Sequence, residues 1–214
     1  MRRVVAPVAR SLADRPLRVL DLGAGNGWLC HRLARIGGDA VAIDIREDSI
    51  DGLGAAGPLL GADFPPFERI VASFDALPVR ETYFDIVVFN ASLHYAIDLR
   101  SVLDEARRAA RSGGRVAVLD SPFYDSEADG SAMVDDKRRN AATHFGERAD
   151  ALMALSFIEF LTRDRLDAAS KGLGLAWRRH RVSYPLWYEA RPYVARLRRQ
   201  RRPSRFDLWE SSVA

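Results

Sequence analysis

Five short apolar segments alternate with helical segments over the first 120 residues, and this alternation constrains the fold more than any other feature of the sequence. The predicted strands are residues 17–22, 40–45, 69–74, 84–90 and 115–120. The predicted helices between them are residues 26–36, 47–53 and 99–111, the last closed by Ser112-Gly113-Gly114. Nearly continuous apolar strands that alternate with helices indicate a parallel sheet covered on both faces. Because crossovers are right-handed, the sequence predicts an α/β fold with a doubly wound sheet.

The second half of the chain is less regular. Residues 121–146 are polar and predict a connection or lid that contains one helix. Further helices are predicted over residues 147–160, 162–171 and 186–201, and closing strands over residues 175–184 and 206–213. A length of 214 residues suits one domain. We therefore expect a single domain over residues 1–214, in which residues 121–160 form a lid or an insertion that shapes the substrate site.

Cysteine content and hydropathy indicate the cellular setting. Cys30 is the single cysteine, so no internal disulfide forms, and its apolar neighbours favour a buried, unreactive thiol. The adjacent His31 is expected on the surface. No apolar run approaches the roughly 20 residues that span a bilayer, and the N-terminus lacks the apolar stretch of a signal peptide. These features favour a cytoplasmic protein without a membrane span.

Arginine is concentrated near the C-terminus. Residues 175–205 hold ten arginines and one acidic residue, so the rest of the chain carries a net charge of about −6 under a total of +3. Within this segment, flanking arginines accompany an apolar stripe, which consists of Ala190, Tyr193, Val194 and Leu197. We expect a surface helix with a solvated basic face. An RNA-binding face, a membrane-surface patch, attraction of an acidic substrate and a substrate lid are the alternatives.

A glycine-rich turn follows the first predicted strand, in the sequence Asp21-Leu-Gly-Ala-Gly-Asn-Gly27. Such a turn lets a ligand approach the backbone and presents a helix N-terminus to it. A dinucleotide-binding turn requires a small residue where this chain has Trp28. The carboxylate of Asp21 would repel a pyrophosphate and suits a ligand with an ammonium group. The turn therefore favours a cationic ligand over a nicotinamide dinucleotide.

These motifs together resemble the class I S-adenosylmethionine (SAM)-dependent methyltransferases, and more narrowly the small-molecule branch called methyltransferase type 11 or UbiE-like. The resemblance covers residues 17–120 and is carried by four motifs in order, which are residues 19–28, Asp44, residues 74–78 and residues 84–95. Residues 103–119 are similar to the helix and strand that follow. The resemblance implies a Rossmann-like, seven-stranded, mostly parallel sheet of order 3-2-1-4-5-7-6.

The resemblance also implies roles for individual residues. Asp44 would bind both ribose hydroxyls, Ile45 would pack against adenine, Asp75 and the amide of Ala76 would bind the adenine edge, and Asn90 would lie near the methionine part. The complete predicted cofactor set is Asp21, Gly23, Ala24, Gly25, Gly27, Asp44, Ile45, Asp75, Ala76 and Asn90. The cofactor is then SAM and the product S-adenosylhomocysteine.

His94 follows the fourth predicted strand and is the candidate catalytic base, because a histidine near neutral pKa can take a proton from a hydroxyl or amine. A structural histidine is the alternative. Tyr95 and Tyr124 are candidate pocket residues, with packing as the alternative. No Cys/His cluster has metal-ligand spacing, so no metal is predicted.

The expected function is methyl transfer to a small-molecule acceptor by in-line displacement. No Asn/Asp-Pro-Pro-aromatic motif follows the fourth predicted strand, where the chain has Asn90-Ala-Ser-Leu93 instead. This argues against the amino-methyltransferases of DNA and many of those of RNA and protein. An RNA-directed methyltransferase that uses the arginine-rich segment and a SAM-binding protein without turnover are the alternatives. We expect a monomer or a homodimer.

Overall fold

The computed structural model describes residues 15–61, 65–146, 154 and 156–214. Its seven strands form one sheet of order β3-β2-β1-β4-β5-β7-β6. The strands are β1 Arg18–Leu22, β2 Asp39–Asp44, β3 Glu68–Val71, β4 Phe84–Asn90, β5 Ala110–Leu119, β6 Arg178–His180 and β7 Leu208–Ser212. Strands β1 to β5 pair in parallel, and β7 runs antiparallel to β5 and β6. The predicted Rossmann-like topology and strand order are confirmed.

Six α-helices accompany the sheet in the described part of the chain. They are α1 Trp28–Ala34, α2 Leu99–Ala109, α3 Glu127–Phe145, α4 Arg163–Ala169, α5 Leu186–Glu189 and α6 Arg191–Leu197. Side-chain caps start several of them. Asp98 accepts a hydrogen bond from the Arg100 amide at 3.0 Å, and the predicted cap Thr162 accepts one from the Arg165 amide at 3.1 Å.

The core lies on both faces of the sheet, because alternate strand residues point to opposite sides. Leu20, Leu22 and Phe89 belong to a cluster that includes buried residues of α2. Val19 and Val88 belong to a second cluster, together with buried residues of α1. Burial on both faces explains why β1 and β4 are apolar almost throughout.

The structure corrects several predicted elements in the first half. Residues 47–53 were expected to form a short helix, but a 3-10 helix follows instead at Leu53–Leu59. The predicted helix end at Ser112-Gly113-Gly114 lies inside β5, which begins directly after α2. His31 was expected on the surface and is buried, with Nδ1 3.1 Å from the carbonyl oxygen of Leu59. The 3-10 helix, which the sequence pattern did not predict, covers that face of α1.

Two predicted helices in the second half are also corrected. Part of the predicted helix at 147–160 lies outside the described residues, at positions 147–153 and 155. The described part is not helical, since the amides of Ile158 and Glu159 donate to the carbonyls of Ala96 and His94 and Glu159 has a φ of 64°. The predicted helix at 186–201 is divided into α5 and α6. Pro192 explains the division, because proline removes an amide donor and disrupts the preceding helical turn.

The two predicted closing strands are present but shorter than expected. The prediction at 175–184 reduces to β6, and the prediction at 206–213 reduces to β7. The predicted polar connection at 121–146 does contain one helix, α3, which is 19 residues long and begins at the N-cap Ser126.

Candidate functional site

The predicted cofactor residues of the first two motifs meet at the carboxyl edge of the sheet. Strand β1 lies between β2 and β4, with Leu22 in register with Ile43 on one side and Phe89 on the other. The amide of Gly23 donates to the carbonyl of Ile43 at 2.8 Å. The glycine turn is therefore tied to the end of β2, at the edge where doubly wound sheets bind ligands.

The three glycines of the turn all adopt positive φ angles, of 72°, 53° and 73° at Gly23, Gly25 and Gly27. At two of these glycines, close neighbours also leave no room for a side chain. A Cβ at Gly23 would lie 2.4 Å from the Cβ of Ser92, and one at Gly27 would lie 2.5 Å from the ring of Phe67. Both the backbone conformation and the space thus require glycine.

Asp21 is a buried carboxylate without a full set of partners. Its Oδ1 has no hydrogen-bond partner within the described residues, and its Oδ2 lies 3.8 Å from the Sγ of Cys30. Burial, together with the negative charge of Asp44, raises the pKa of Asp21 to about 7 against the lowering effect of the Cys30 hydrogen bond. An unpartnered acid at the glycine turn is a site for a cationic group.

The thiol of Cys30 is buried, as predicted. Burial and the neighbouring Asp21 raise its pKa well above the ordinary value for a cysteine. A thiol that stays protonated is a weak nucleophile.

Asp44 is fixed by two backbone amides. Its Oδ2 accepts from the amide of Gly25, and its Oδ1 accepts from the amide of Arg46, both at 2.8 Å. Each carboxylate oxygen keeps a further lone pair, so the group can still accept from a pair of hydroxyls. The next residue, Ile45, is 71% exposed and offers an apolar surface beside this carboxylate.

The remaining predicted cofactor residues are less tightly held. Asp75 and Ala76 are exposed in a turn beyond the end of β3. The amide of Ala76, which was expected to bind the adenine ring, donates to the carbonyl of Ser73 across a long 3.3 Å. Asn90 is half-buried at the end of β4, and the next residue, Ala91, has a φ of 57°. A non-glycine residue in this region is strained, and such strain often marks a functional site.

His94 lies on a short 3-10 helix, Leu93–Tyr95, just beyond β4. Its Nδ1 is buried without a hydrogen-bond partner in the described structure, and its ring lies 4.2 Å from that of Tyr95. Burial lowers the pKa of His94 to about 4, while Glu159 opposes and Lys137 assists this shift. The imidazole is therefore neutral at physiological pH, but a pKa of about 4 makes it a weaker base than the near-neutral histidine expected from the sequence.

Residues that the sequence analysis did not select surround His94. The carbonyl of His94 accepts a hydrogen bond from the amide of Glu159 at 3.0 Å, and the carboxylate of Glu159 pairs with Lys137 of α3 at 2.7 Å. A helix over residues 147–160 would not have brought Glu159 to the histidine. The backbone hydrogen bonds with residues 94–96 that do so are tertiary contacts with no local sequence signal.

Two insertions meet at the carboxyl edge. The first, residues 120–162, follows β5 and contains α3, and the second, residues 181–207, lies between β6 and β7 and contains α5 and α6. Arg201 pairs with Asp136 at 2.9 Å, and the amide of Arg202 donates to Asp129 at 2.8 Å. The amide of Phe123 also donates to the carbonyl of Arg205 at 3.0 Å. The arginine-rich segment is thus joined to the acidic insertion.

A cleft of about 640 Å³ separates the two insertions. Apolar side chains line part of it, and Arg191, Gln200 and the Asp136–Arg201 pair supply its polar groups. Tyr124 is buried nearby, with its ring edge-on to Phe160 and its hydroxyl 3.3 Å from Arg201. The cleft can accept a molecule with both apolar and polar parts.

Among the residues that the structure describes, no group of three or more His, Cys, Asp or Glu side chains is arranged to hold a metal ion. None of the described helices is both long enough and apolar enough to cross a membrane.

Comparison with known proteins identifies the domain. A sequence model described as a methyltransferase domain matches residues 20–118. The chain is 33% identical over 118 residues to the demethylmenaquinone methyltransferase of Clavibacter sepedonicus, a match that covers 55% of this chain and 44% of the relative. It is 32% identical over 120 residues to the tRNA 5-carboxymethoxyuridine methyltransferase of Escherichia coli, and this match covers 56% and 44%. Residues 20–118 therefore match a methyltransferase domain, and its motifs and strand order are those of the class I SAM-dependent methyltransferases.

The fold agrees with this family. The structure resembles that of the Burkholderia thailandensis 1,6-didemethyltoxoflavin-N1-methyltransferase, determined with S-adenosylhomocysteine bound, with a TM-score of 0.59 and 17% identity over all of this chain and 77% of that one. The chain spans less than half the length of the two curated relatives above. SAM is the cofactor of the family, as the sequence predicted.

The carboxyl edge fits SAM in three respects. The unpartnered Oδ1 of Asp21 can accept from an ammonium group. The fixed carboxylate of Asp44 can accept from ribose hydroxyls, and the exposed Ile45 offers an apolar face to a base. A phosphate has no comparable partner in this turn, because Asp21 would repel it.

Proposed function

We propose that this protein transfers a methyl group from SAM to a small-molecule acceptor. The observation that carries the proposal is that two insertions are joined at the carboxyl edge of the sheet and that the first of them contacts the loop of His94. An edge that carries such joined insertions suits an acceptor that enters whole and is shielded from water. A class I domain with an open, flat edge would suit a polymer better.

The donor side is assigned to residues of the first three strands. Asp21 holds the ammonium group, and the glycine turn lets the cofactor approach the backbone. Asp44 binds the ribose hydroxyls and Ile45 packs on the adenine. Asp75 and Ala76 bind the adenine edge, which requires the long Ala76–Ser73 hydrogen bond to open. The cofactor supplies an activated methyl group when bound.

The acceptor side is assigned to residues beyond β4 and to the insertions. Asn90 borders the donor, and His94 is the candidate base, with an imidazole that burial keeps neutral. Glu159 and Lys137 position the loop that carries it. Alignment of the reactants and exclusion of water provide most of the rate enhancement in such a transfer, and His94 adds proton removal where the acceptor needs it.

An RNA acceptor is the second candidate. One relative of this chain acts on tRNA by its name, and Arg198 and Arg199 are exposed without an ion pair in the described structure. Against this reading, Arg201, Arg202 and Arg205 are engaged by acidic side chains of the same chain. Paired arginines contribute little to phosphate binding, so an RNA would depend on the unpaired arginines of the segment, and the joined insertions favour the small molecule.

Labelled methyl transfer tests the proposal. The purified protein is incubated with methyl-labelled SAM and a cell extract that has been separated into metabolite, RNA and protein fractions, and each fraction is analysed by mass spectrometry. We expect label in the metabolite fraction, and less of it from an Asp44→Ala control when SAM is below saturation. Label in RNA alone would establish the second candidate. Binding of S-adenosylhomocysteine with no label in any fraction would indicate a SAM-binding protein without turnover.

A further inference from the structure

We propose that α5 and α6 dock on an anionic membrane surface. Large apolar side chains are concentrated on these two helices and face solvent. Their exposed fractions are 88% for Leu186, 70% for Trp187, 77% for Tyr193 and 86% for Leu197. An exposed apolar patch of this kind usually marks an interaction site.

The geometry of α6 places apolar and basic side chains together. Tyr193 and Leu197 are four residues apart and therefore share one face of the helix. Arg196 lies next to that face, and Ala195 faces the protein and is buried. Arg198 and Arg199 follow directly where the helix ends. The apolar face thus has a basic border.

The charges on this border are available to a partner. Arg196, Arg198 and Arg199 are exposed, and no ion pair engages any of them in the part of the chain that the structure describes. Their neighbours Arg201 and Arg202 differ, since they pair with Asp136 and Asp125 of the first insertion. The chain therefore neutralises the inner arginines of the segment and leaves the outer ones for an external anion.

A bilayer with anionic lipids matches both features. Arginines bind the headgroups, and each adds roughly fivefold to binding at a typical anionic surface. Tryptophan and tyrosine favour the interface between headgroups and acyl chains, and aliphatic side chains such as Leu186 and Leu197 enter the acyl boundary. An anionic bilayer thus accounts for both the exposed apolar side chains and the unpaired arginines.

Two other occupants fit less well. A second copy related by a twofold axis would bring the arginines of both chains together, with like-charge repulsion. An RNA strand could stack on Trp187 and Tyr193, but it offers nothing to the aliphatic Leu186 and Leu197. The bilayer proposal goes beyond methyl transfer and does not depend on it.

Vesicle sedimentation tests the docking surface with the full chain and without any methyl acceptor. Vesicles of phosphatidylcholine with about one third phosphatidylglycerol are compared with vesicles of pure phosphatidylcholine at about 0.15 M salt. We expect the protein to sediment with the anionic vesicles and not with the neutral ones. Absence of binding to the anionic vesicles overturns the proposal.

Matched variants distinguish binding through this surface from nonspecific adsorption to vesicles. Leu186→Ser with Leu197→Ser should weaken anionic-vesicle binding at least fivefold, whereas Ile36→Ser with Ile50→Ser, at positions 71% and 88% exposed elsewhere, should not. The triple change of Arg196, Arg198 and Arg199 to Gln should weaken it more than the same change at Arg80, Arg107 and Arg138.

Equal effects of the test and control sets overturn the proposal. So does binding of an RNA oligonucleotide, or dimerisation in solution, that depends on Leu186 and Leu197 while vesicle binding does not. Circular dichroism of each variant verifies that the fold is kept, since all the substituted side chains are exposed.

Discussion

Asp21 combines a cost in stability with a binding role. Its folded pKa of about 7 lies above the ordinary aspartate value of about 3.9. Between these two values the unfolded chain ionises while the folded chain keeps its proton. The contribution of Asp21 to stability therefore falls as the pH rises from about 4 to about 7, and stays at its lowest level above that.

Asp21→Asn should consequently stabilise the protein without ligand. We expect the free energy of unfolding to rise by roughly 2–4 kcal/mol at pH 8 and to change little at pH 4. The same variant should bind S-adenosylhomocysteine more weakly by about 1–3 kcal/mol, because it lacks a charge for the ammonium group. Urea denaturation at both pH values and calorimetry measure the two effects, with Asp39→Asn, at an exposed position, as the control. A variant less stable at pH 8 would contradict this account.

Asp44 should be important for binding, and its loss should also cost some stability because two backbone amides lose their acceptor. Asp44→Ala removes the acceptor for two backbone amides and, in the proposed role, for the ribose hydroxyls. We expect a loss of about 1–3 kcal/mol in the affinity for S-adenosylhomocysteine by calorimetry. The affinity for adenine alone, which lacks the ribose, should fall much less. Unchanged affinity for S-adenosylhomocysteine would exclude the proposed role.

His94 has a testable pH signature. Because its folded pKa is about 4, the imidazole stays neutral down to about pH 5, and acid should not reduce kcat between pH 7 and pH 5.5 through this group. With the acceptor identified by labelling, His94→Asn should lower kcat on the order of 100-fold and leave affinity for S-adenosylhomocysteine unchanged. His144→Asn, at an exposed position on α3, is the control. A loss of thermal stability with full kcat would mean that His94 only packs.

Sequence reasoning worked best for residues whose position follows from a strand end. Asp21, Asp44 and Asn90 lie at the carboxyl edge because a parallel strand ends there, and the strand is visible as an apolar run. His31 was misplaced because its cover, the 3-10 helix Leu53–Leu59, contains Pro58 and two glycines and has no helical pattern. Glu159 was missed because its contact with His94 depends on tertiary pairing alone.

At the scale of elements, the glycine turn is the most constrained connection. Gly27 and Gly37 both have positive φ, of 73° and 82°, but a Cβ at Gly27 would meet the Phe67 ring at 2.5 Å and one at Gly37 would meet nothing within 4 Å. Gly37→Ala thus measures the cost of the backbone conformation alone. Gly27→Ala adds the steric cost.

We expect Gly37→Ala to lower the free energy of unfolding by about 1–2 kcal/mol. Gly27→Ala should cost about 1–3 kcal/mol more, because Phe67 must move in a packed cluster. Urea denaturation measures both variants, and Gly27→Ala with Phe67→Leu should recover part of the difference. Equal costs for the two alanine variants would show that the Phe67 contact does not constrain the turn.

Element prediction succeeded where one local pattern dominates. The strands of the sheet are apolar runs, and α4 begins at a threonine cap that the sequence shows directly. It failed where the backbone pairs with a distant segment. Residues 156–160 are apolar enough for a helix, yet the amides of Ile158 and Glu159 donate to the loop at residues 94–96, more than 60 residues away in the chain.

At the scale of the whole molecule, the sheet and its helices follow from the sequence, whereas the junction of the two insertions does not. The ion pairs and hydrogen bonds that join them connect residues 65 to 82 positions apart. The clustering of arginines near the C-terminus and of acids at residues 125–136 is visible in the sequence. Only the fold brings the two clusters together, because both insertions begin at the same edge of the sheet.

The Asp136–Arg201 pair offers a test of this junction. Helix α3 has Gly130 as its one buried residue, so it depends on contacts with the second insertion for its position. Arg201→Asp places two carboxylates together and should speed amide hydrogen exchange of α3 by roughly two- to fivefold, the effect expected for a partly exposed pair. Adding Asp136→Arg recreates an opposite-charge pair in the reverse order and should restore most of the protection.

Arg163→Asp is the matched control, because Arg163 pairs with Asp167 inside α4 and does not join the insertions. It should leave the exchange of α3 unchanged. If amide exchange is equal in the single and double variants, the two insertions are held together by their apolar and backbone contacts. The Asp136–Arg201 ion pair then does not determine how closely the insertions approach each other. If the double variant recovers, closure should also weaken at high salt, because ion pairs that are about one third exposed are screened. The acceptor side of this methyltransferase domain would then open and close through the same arginines that distinguish its C-terminal sequence.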